Sequence, residues 1–439
     1  MVGYSQTPLI YPLAQLKTDC LEIVRAGVDA VSAQRVIDRA FRLPIADELT
    51  SRPVHVIAAG KAAAAMAAAF LRLKHLQVRH ALVIGTHLHP DLPTDVEWIE
   101  SSHPFPDARS EHAGRRAIAV AQAAHSGDAL VILLSGGASA LMAAPIEGIT
   151  LADKIATTRL MMESGADIQS LNTVRRHLSN VKGGRLAAAC VGTTITLAIS
   201  DVVGDDLNAI GSGPGVPDAT TWADAAAMLE RFGGDAHLSE VRYVIERGVA
   251  GRIADTPKPG DASMKRAHAL VIGSRMDAMA GAKQAAFERG YHPIVLPDAV
   301  TGEARDVAPR WLARARDAAR AANKPACVIS SGETTVRVTG KGRGGRNLEF
   351  ALAIAEAVAD SASTVMASVG TDGIDGSSAV AGGIIDSTTM ARASALGLES
   401  PGNFLAANDS LAFFARLDDA VRLGRTDTNV GDLQVMLID

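Results

Sequence analysis

Apolar, β-branched runs alternate with alanine-rich segments of helical period along most of this chain, and few architectures accept that alternation. The runs VHVIAAG (54–60), HALVIG (80–85), ALVILLSGG (129–137), TTITLAIS (193–200), HALVIGS (268–274), HPIVLP (292–297), ACVISSG (326–332) and STVMASVG (363–370) read as strands. Most are apolar almost throughout, as in sheets covered on both faces. Helical periods run over 14–42, 108–125, 151–164, 221–232, 275–289, 303–322 and 347–359. Strands joined through helices form largely parallel sheets, so the predicted class is α/β. With aromatic residues at only 4 %, alanine, leucine and valine must fill the cores, which requires close packing of helix on sheet. A chain of 439 residues can build two or three such domains. The pattern is weakest in RIADTPKPGDASMKRA (252–267), which predicts a boundary there and domains over 1–255 and 265–439. The first helices, 14–42, can pack on either.

The balance of charge excludes some partners. A net charge of -5 and a pI near 6.2 argue against a nucleic-acid surface, which normally carries a basic face or stripe. No apolar run is long enough to span a membrane, and the segment MVGYSQTPLIYPLAQLK lacks the basic start of an export leader. Cys20, Cys190 and Cys327 match no metal spacing and suit a reduced compartment without disulfides. A cytoplasmic protein acting on small molecules is expected, and a homodimer is left open.

Several predicted strands end in the same kind of turn: AAGK (58–61), SGGAS (135–139), SDVVGDD (200–206), SSGE (330–333) and VGTDG (369–373). At the carboxyl ends of strands in an open α/β sheet, glycine lets backbone N–H groups reach an anion. One such turn is an ordinary connection; five together predict a polar binding site. TGKGRGGRNLEF (339–350) adds Lys341, Arg343 and Arg346 to a glycine loop. Gly340, Gly342 and Gly345 match G-x-G-x-x-G, yet TTVRVTG before them alternates apolar with polar, unlike the buried strand that precedes a dinucleotide loop. Cations at such a loop suit a carboxylate or a phosphoryl group in transfer. Lys61 stands where a strand becomes a helix, an unfavourable place for an ammonium unless an anion is bound there. A cationic stretch, SLNTVRRHLSNVKGGRLAAA (170–189), carries Arg175, Arg176, His177, Lys182 and Arg185. Asp201, Asp205, Asp206, Asp372 and Asp375 could accept a proton, bind magnesium or merely cap turns, and His103 sits among prolines.

AAGKAA, SHPFPD, LLSGGASAL, LNTVRRHLSNVKGGRLA, SDVVGDDLNAIGSGP, SSGETTVRVTGKGRGGRNLEFALA, VGTDGIDG and NDSLAFF together resemble the class II glycerate kinases, in order and over nearly the whole chain. Some members of that family are labelled hydroxypyruvate reductases. The resemblance implies a Rossmann-like α/β/α N-terminal domain and a second α/β domain with a mixed sheet, called MOFRL, with the active site between them. It implies transfer of the γ-phosphoryl of ATP, with Mg2+, to D-glycerate, giving 2-phosphoglycerate; NAD(P)H-dependent reduction of hydroxypyruvate is the alternative. Lys61, Arg346 and Asp201 are then the candidate catalytic residues. Gly60, Ser135, Gly136, Gly137, Ser139, Lys182, Arg185, Glu333, Gly342, Gly344, Gly345 and Asn408 are candidates for binding substrate or nucleotide, and Asp372 for the metal. Asp201 or Asp372 would orient the attacking hydroxyl. NLEF departs from the NQE expected after the arginine, at Leu348.

Overall fold

A computed structural model describes residues 12–360 and 363–439. They form two units: residues 33–273 with 427–429, and residues 12–32 with 274–426 and 430–439.

The first unit is built on a parallel sheet of six strands, β1 (Pro53–Ala59), β2 (Gln77–Gly85), β3 (Glu97–Glu100), β4 (Ala129–Leu134), β5 (Thr193–Ile199) and β6 (Ala267–Gly273), in the order β3-β2-β1-β4-β5-β6. The central strands β4 and β5 are buried at every residue, which is why their sequences show no alternation. Ile57, Leu82, Ile84, Leu130 and Ile132 pack on Ala113, Ala117, Val120 and Ala121 of the helix Ala108–Ala123. Each large apolar side chain so buried stabilises the fold by about 1.5–3 kcal/mol. Asp107 starts that helix, its carboxylate accepting from the backbone N–H groups of Arg109 (2.9 Å) and Ser110 (3.3 Å). A separate helical cluster is centred on Met161, Val174, Trp222 and Val241.

The second unit holds a mixed sheet of β7 (His292–Val295), β8 (Val300–Glu303), β9 (Ala326–Thr335), β10 (Thr364–Gly370), β11 (Gly382–Asp386), β12 (Ala420–Val421) and β13 (Asp432–Ile438). β7 and β8 run parallel to β9; the other pairings are antiparallel. Successive side chains alternate between two cores. Val328, Met366 and Met436 meet Leu348, Phe350 and Trp311, while Cys327, Val365 and Leu437 meet Leu16, Cys20, Ile23 and Met279. Both faces are therefore covered by helices, as the expected second α/β layer requires.

Two expectations of organisation change. The break predicted in 252–267 does not end the first unit, because the strand after it, β6, pairs with β5; the division falls between Gly273 and Ser274. The helix expected over 14–42 is two helices, Leu13–Asp29 and Ala33–Ala40, which belong to different units. The first buries Leu16, Cys20, Ile23 and Val24 in the mixed-sheet unit. The second sets Val36 against Gly273 in the parallel-sheet unit. Shorter strands such as β3, β8 and β12 escaped the reading because two to four residues carry no period.

Candidate functional site

In the parallel-sheet unit the strand ends converge as the turn residues suggest. β1 leads into Gly60 and Lys61, and β4 into Ser135, Gly136 and Gly137. The two turns lock together: Lys61 N–H donates to the Gly136 carbonyl (2.9 Å), and Ala62 N–H donates to Ser135 Oγ (3.0 Å). Gly60 has φ 134° and lies against Ser135, where any side chain would overlap it. The carboxylate of Asp201, just past β5, fills the space that a side chain at Gly136 would need. Asn429 Nδ2 donates to Asp201 Oδ2 (3.1 Å). The His103 ring and the Lys61 stem both border Gly137. Burial, with the Lys61 charge, pushes the His103 imidazole below its ordinary value, so it is neutral near pH 7. Gly60, Lys61, Ser135, Gly136, Gly137 and Asp201 are thus brought together, joined by His103.

Ser139 and Lys182 lie on the same side of this turn. Lys182 is buried and donates to Ser139 Oγ (2.8 Å), Ser139 O (3.1 Å) and Gly211 O (3.3 Å). Arg175 Nη2 also donates to Ser139 Oγ, at 2.5 Å. Arg185 goes elsewhere. Its guanidinium donates to Ala254 O (3.1 Å) and feels Asp255 and Asp218. There Arg176 pairs with Asp218 (3.1 Å), and His177 with Asp255 (3.0 Å). The cationic stretch therefore divides, Arg175 and Lys182 facing Ser139 while Arg176, His177 and Arg185 tie the helix to 218–258. Asp206 does cap a turn, accepting from Asn208 N–H (2.9 Å).

In the mixed-sheet unit the glycine loop precedes the helix Arg346–Ala353. Gly340 and Gly342 press on the backbone of Ala407 and Asp409, Gly344 on Ser410, and Gly345 on Asp375; each would overlap that neighbour if it carried a Cβ. The glycines thus let chain meet chain, whereas the sequence suggested an approach to a ligand. Asn408 holds the loop, its Oδ1 accepting from Thr339 N–H and Gly340 N–H, both at 2.8 Å, and its Nδ2 donating to Glu349 (2.7 Å) and Arg337 O (3.3 Å). With oxygen and amide both engaged, Asn408 positions the loop. Asp375 caps the helix, accepting from the N–H groups of Asn347 (3.0 Å) and Leu348 (2.9 Å). Asp372 is half-buried and turns one oxygen to Ile374 N–H (3.1 Å).

Arg346 extends from the first position of that helix. Its Nε donates to Asp432 Oδ1 (2.7 Å) and its Nη1 to Glu333 Oε1 (3.0 Å). Burial opposes the charge, but Asp432 and Glu333 outweigh it, and the pKa stays above the ordinary arginine value. Leu348, the point of departure from the expected NQE, is fully buried in the core, and Glu349 beside it pairs with Arg305 (2.6 Å).

The comparisons with known proteins cover both units. A family model described as a domain of unknown function, DUF4147, matches residues 19–246, and one described as the MOFRL family matches residues 326–432. A D-glycerate 2-kinase of Thermotoga maritima is 35% identical, over 96% of this chain and 98% of its own. The chain belongs to the glycerate kinase family. A glycerate 2-kinase of Pyrococcus horikoshii is likewise 35% identical, over 88% of this chain and 87% of its own. An Agrobacterium vitis protein named only provisionally, as a hydroxypyruvate reductase, is 38% identical over 93% of this chain and 95% of its own. The crystal structure of a glycerate kinase from Thermotoga maritima matches with a TM-score of 0.87 at 34% identity, covering 97% of this chain and all of that one. Among the described residues, no helix is long and apolar enough to cross a membrane.

Sequence reasoning left out Lys154, Asn172 and Ser212, which share the region of Arg175 and Lys182. Ser212 Oγ lies 2.9 Å from Ser139 Oγ and donates to Asn172 Oδ1 (3.0 Å). Lys154 did leave a signal: it stands three and seven residues before Thr157 and Met161, on the buried face of its helix.

Proposed function

We propose that this chain transfers the γ-phosphoryl group of ATP to the 2-hydroxyl of D-glycerate. The observation that carries the proposal is the match, over almost the whole chain, to proteins named glycerate 2-kinase. The geometry supports it. Phosphoryl transfer needs positioning and charge neutralisation more than covalent chemistry. Lys61, its backbone pinned to Gly136, supplies a placed ammonium, and Arg346, braced by Asp432 and Glu333, supplies a guanidinium in a fixed plane. Both cations are required for turnover on this reading. Asp201, packed on Gly136, orients the glycerate hydroxyl and receives its proton. The N–H groups of Gly136 and Gly137 hold an anionic oxygen.

Magnesium fits in a limited way. Among the described residues no three or more His, Cys, Asp or Glu side chains stand together as a ready cage. Magnesium commonly binds through one or two carboxylates and the phosphates themselves, and Asp372 is the carboxylate we assign to it. Asp372 would hold the ion, which when bound would neutralise charge on the ATP phosphates.

The G-x-G-x-x-G spacing, the one sequence feature favouring a nicotinamide enzyme, is used in packing against 407–410 and Asp375. The test is to incubate the protein with D-glycerate, ATP and magnesium and follow the product by phosphorus NMR, alongside hydroxypyruvate with NADH. Formation of 2-phosphoglycerate is expected. Oxidation of NADH with no phosphorylated product would overturn the proposal, and 3-phosphoglycerate would overturn its regiochemistry.

A further inference from the structure

Three basic side chains share one region of the parallel-sheet unit: Arg175 and Lys182 both donate to Ser139 Oγ, and Lys154 lies on the buried face of a helix that packs on the Arg175 helix, and it interacts electrostatically with both. Lys154 is 6% exposed and Lys182 1%. The charges that add to burial at Lys154 and Lys182 are positive, Arg175 on both and Lys154 on Lys182. Among the described residues neither lysine forms an ion pair with a carboxylate. Burying a charge without a partner is costly, and the ordinary outcome is an ion pair or an apolar residue. Burial drives the two lysines toward their neutral form, and an anion arriving from outside is what would restore and offset their positive charge.

The donors show where that anion fits. Lys182 has used its three, on Ser139 O, Ser139 Oγ and Gly211 O. It offers no free N–H. Ser139 Oγ accepts from both Lys182 and Arg175, so its proton goes to Ser212 Oγ, whose own proton goes to Asn172 Oδ1. The hydroxyl chain is therefore directed and fully occupied. Lys154 Nζ is buried with no hydrogen-bond partner. Arg175 uses one N–H on Ser139 Oγ and one on Asn172 Oδ1 (3.3 Å), leaving three of its five donors and a half-exposed side chain. Free donors thus remain on one planar fork and one ammonium.

We propose that Lys154 and Arg175, with Lys182 behind them on Ser139, form the subsite that takes the carboxylate of the hydroxy-acid substrate. A single carboxylate can take a guanidinium fork and one ammonium together. This inference rests on the glycerate kinase reading and adds which residues recognise the acid group. Ser139 is two residues from Gly137, which borders Lys61, so this subsite and the Lys61 turn lie along one stretch of chain.

The test compares wild type, Lys154→Met and Arg175→Lys by calorimetric binding of D-glycerate and of inorganic phosphate, by KM for glycerate and for ATP, and by thermal melting. Lys154→Met is expected to weaken glycerate binding and raise its KM roughly ten- to hundredfold. KM for ATP should stay within about twofold. The melting temperature should hold or rise, since methionine fills the site without an unpaired charge. Arg175→Lys should give a smaller loss in glycerate affinity, because it keeps the charge and loses the fork. Unchanged glycerate affinity in both variants would overturn the proposal, as would phosphate binding to wild type more tightly than glycerate with the same residue dependence. A fall in melting temperature that parallels the loss of affinity would show a structural role and also overturn it. If wild type binds glycerate in this residue-dependent way and does not phosphorylate it, the kinase reading fails and the subsite stands. If wild type is an active kinase and the variants keep its KM, the subsite alone fails.

Discussion

Replacing Arg346 with lysine separates a catalytic role from a structural one, because the structure fixes what each would cost. Nε and Nη1 are held by Asp432 and Glu333, which leaves three guanidinium N–H groups in a plane set by the protein. An ammonium keeps the charge and loses the plane, and its stem reaches at most one of the two carboxylates. Asp432 would keep its bonds from Thr334 N–H (3.0 Å), Thr334 Oγ1 (3.2 Å) and Asn347 Nδ2 (2.9 Å). That buried carboxylate therefore stays hydrogen-bonded, and the loss of stability should be about 1–2 kcal/mol. The loss of one placed donor pair in the transition state should be larger, about 3 kcal/mol, or roughly a hundredfold in kcat. Arg343 is the internal control: it sits in the same loop, is exposed, and its guanidinium donates to Ser377 O (3.3 Å). Arg343→Lys should keep kcat within about twofold. The assay is steady-state kinetics on both variants with urea denaturation alongside. Comparable activity in the two would refute the reasoning, and so would a stability loss in Arg346→Lys large enough to unfold the protein under assay conditions.

Other perturbations test separate steps. Asp201→Asn keeps the shape beside Gly136 and removes the proton acceptor, so kcat measured with saturating substrates should fall about a hundredfold or more. Gly345→Ala would push a methyl into the Asp375 backbone and displace the cap of the Arg346 helix, with about 1–3 kcal/mol lost in denaturant titration and activity lost with it. Lys154 also makes stability depend on pH: burial, then the Arg175 charge, lowers its ammonium from 10.5 to about 7. Between those values the unfolded chain holds a proton that the folded protein has released. The penalty of burying this lysine is therefore full below pH 7 and relieved as pH rises toward 10.5, at up to about 1.4 kcal/mol per pH unit. Denaturation of wild type and Lys154→Met at pH 7 and pH 9 should show the gap between them, in favour of methionine, shrinking at the higher pH.

The layered α/β class was legible because its cause is local. A strand such as β4 is apolar at every position since both faces are covered, and no tertiary knowledge is needed to see it. The turns were legible for a related reason: glycine at 60 and 136 answers to neighbours met directly at a strand end. What stayed hidden depends on partners distant in sequence. Nothing around Gly340 to Gly345 announces that residues 407–410 and 375 lie against it, so a loop that packs on protein reads as one that cradles a ligand. Arg175 and Arg176 are adjacent and chemically identical, yet one faces Ser139 and the other Asp218, because neighbours on a helix point about 100° apart.

Lys154 carries the same lesson further. In sequence it is one lysine in an ordinary amphipathic helix, where solvent is the expected surrounding. Only its place on the Thr157 and Met161 face marks it as buried, and only the fold shows that Arg175 and Lys182 share its region and that, among the described residues, neither lysine pairs with a carboxylate. A chain selected for stability alone would put methionine there. Keeping the charge is a cost that makes sense if an anion offsets it during turnover, which is why the variant expected to be more stable is also the one expected to bind the acid less well.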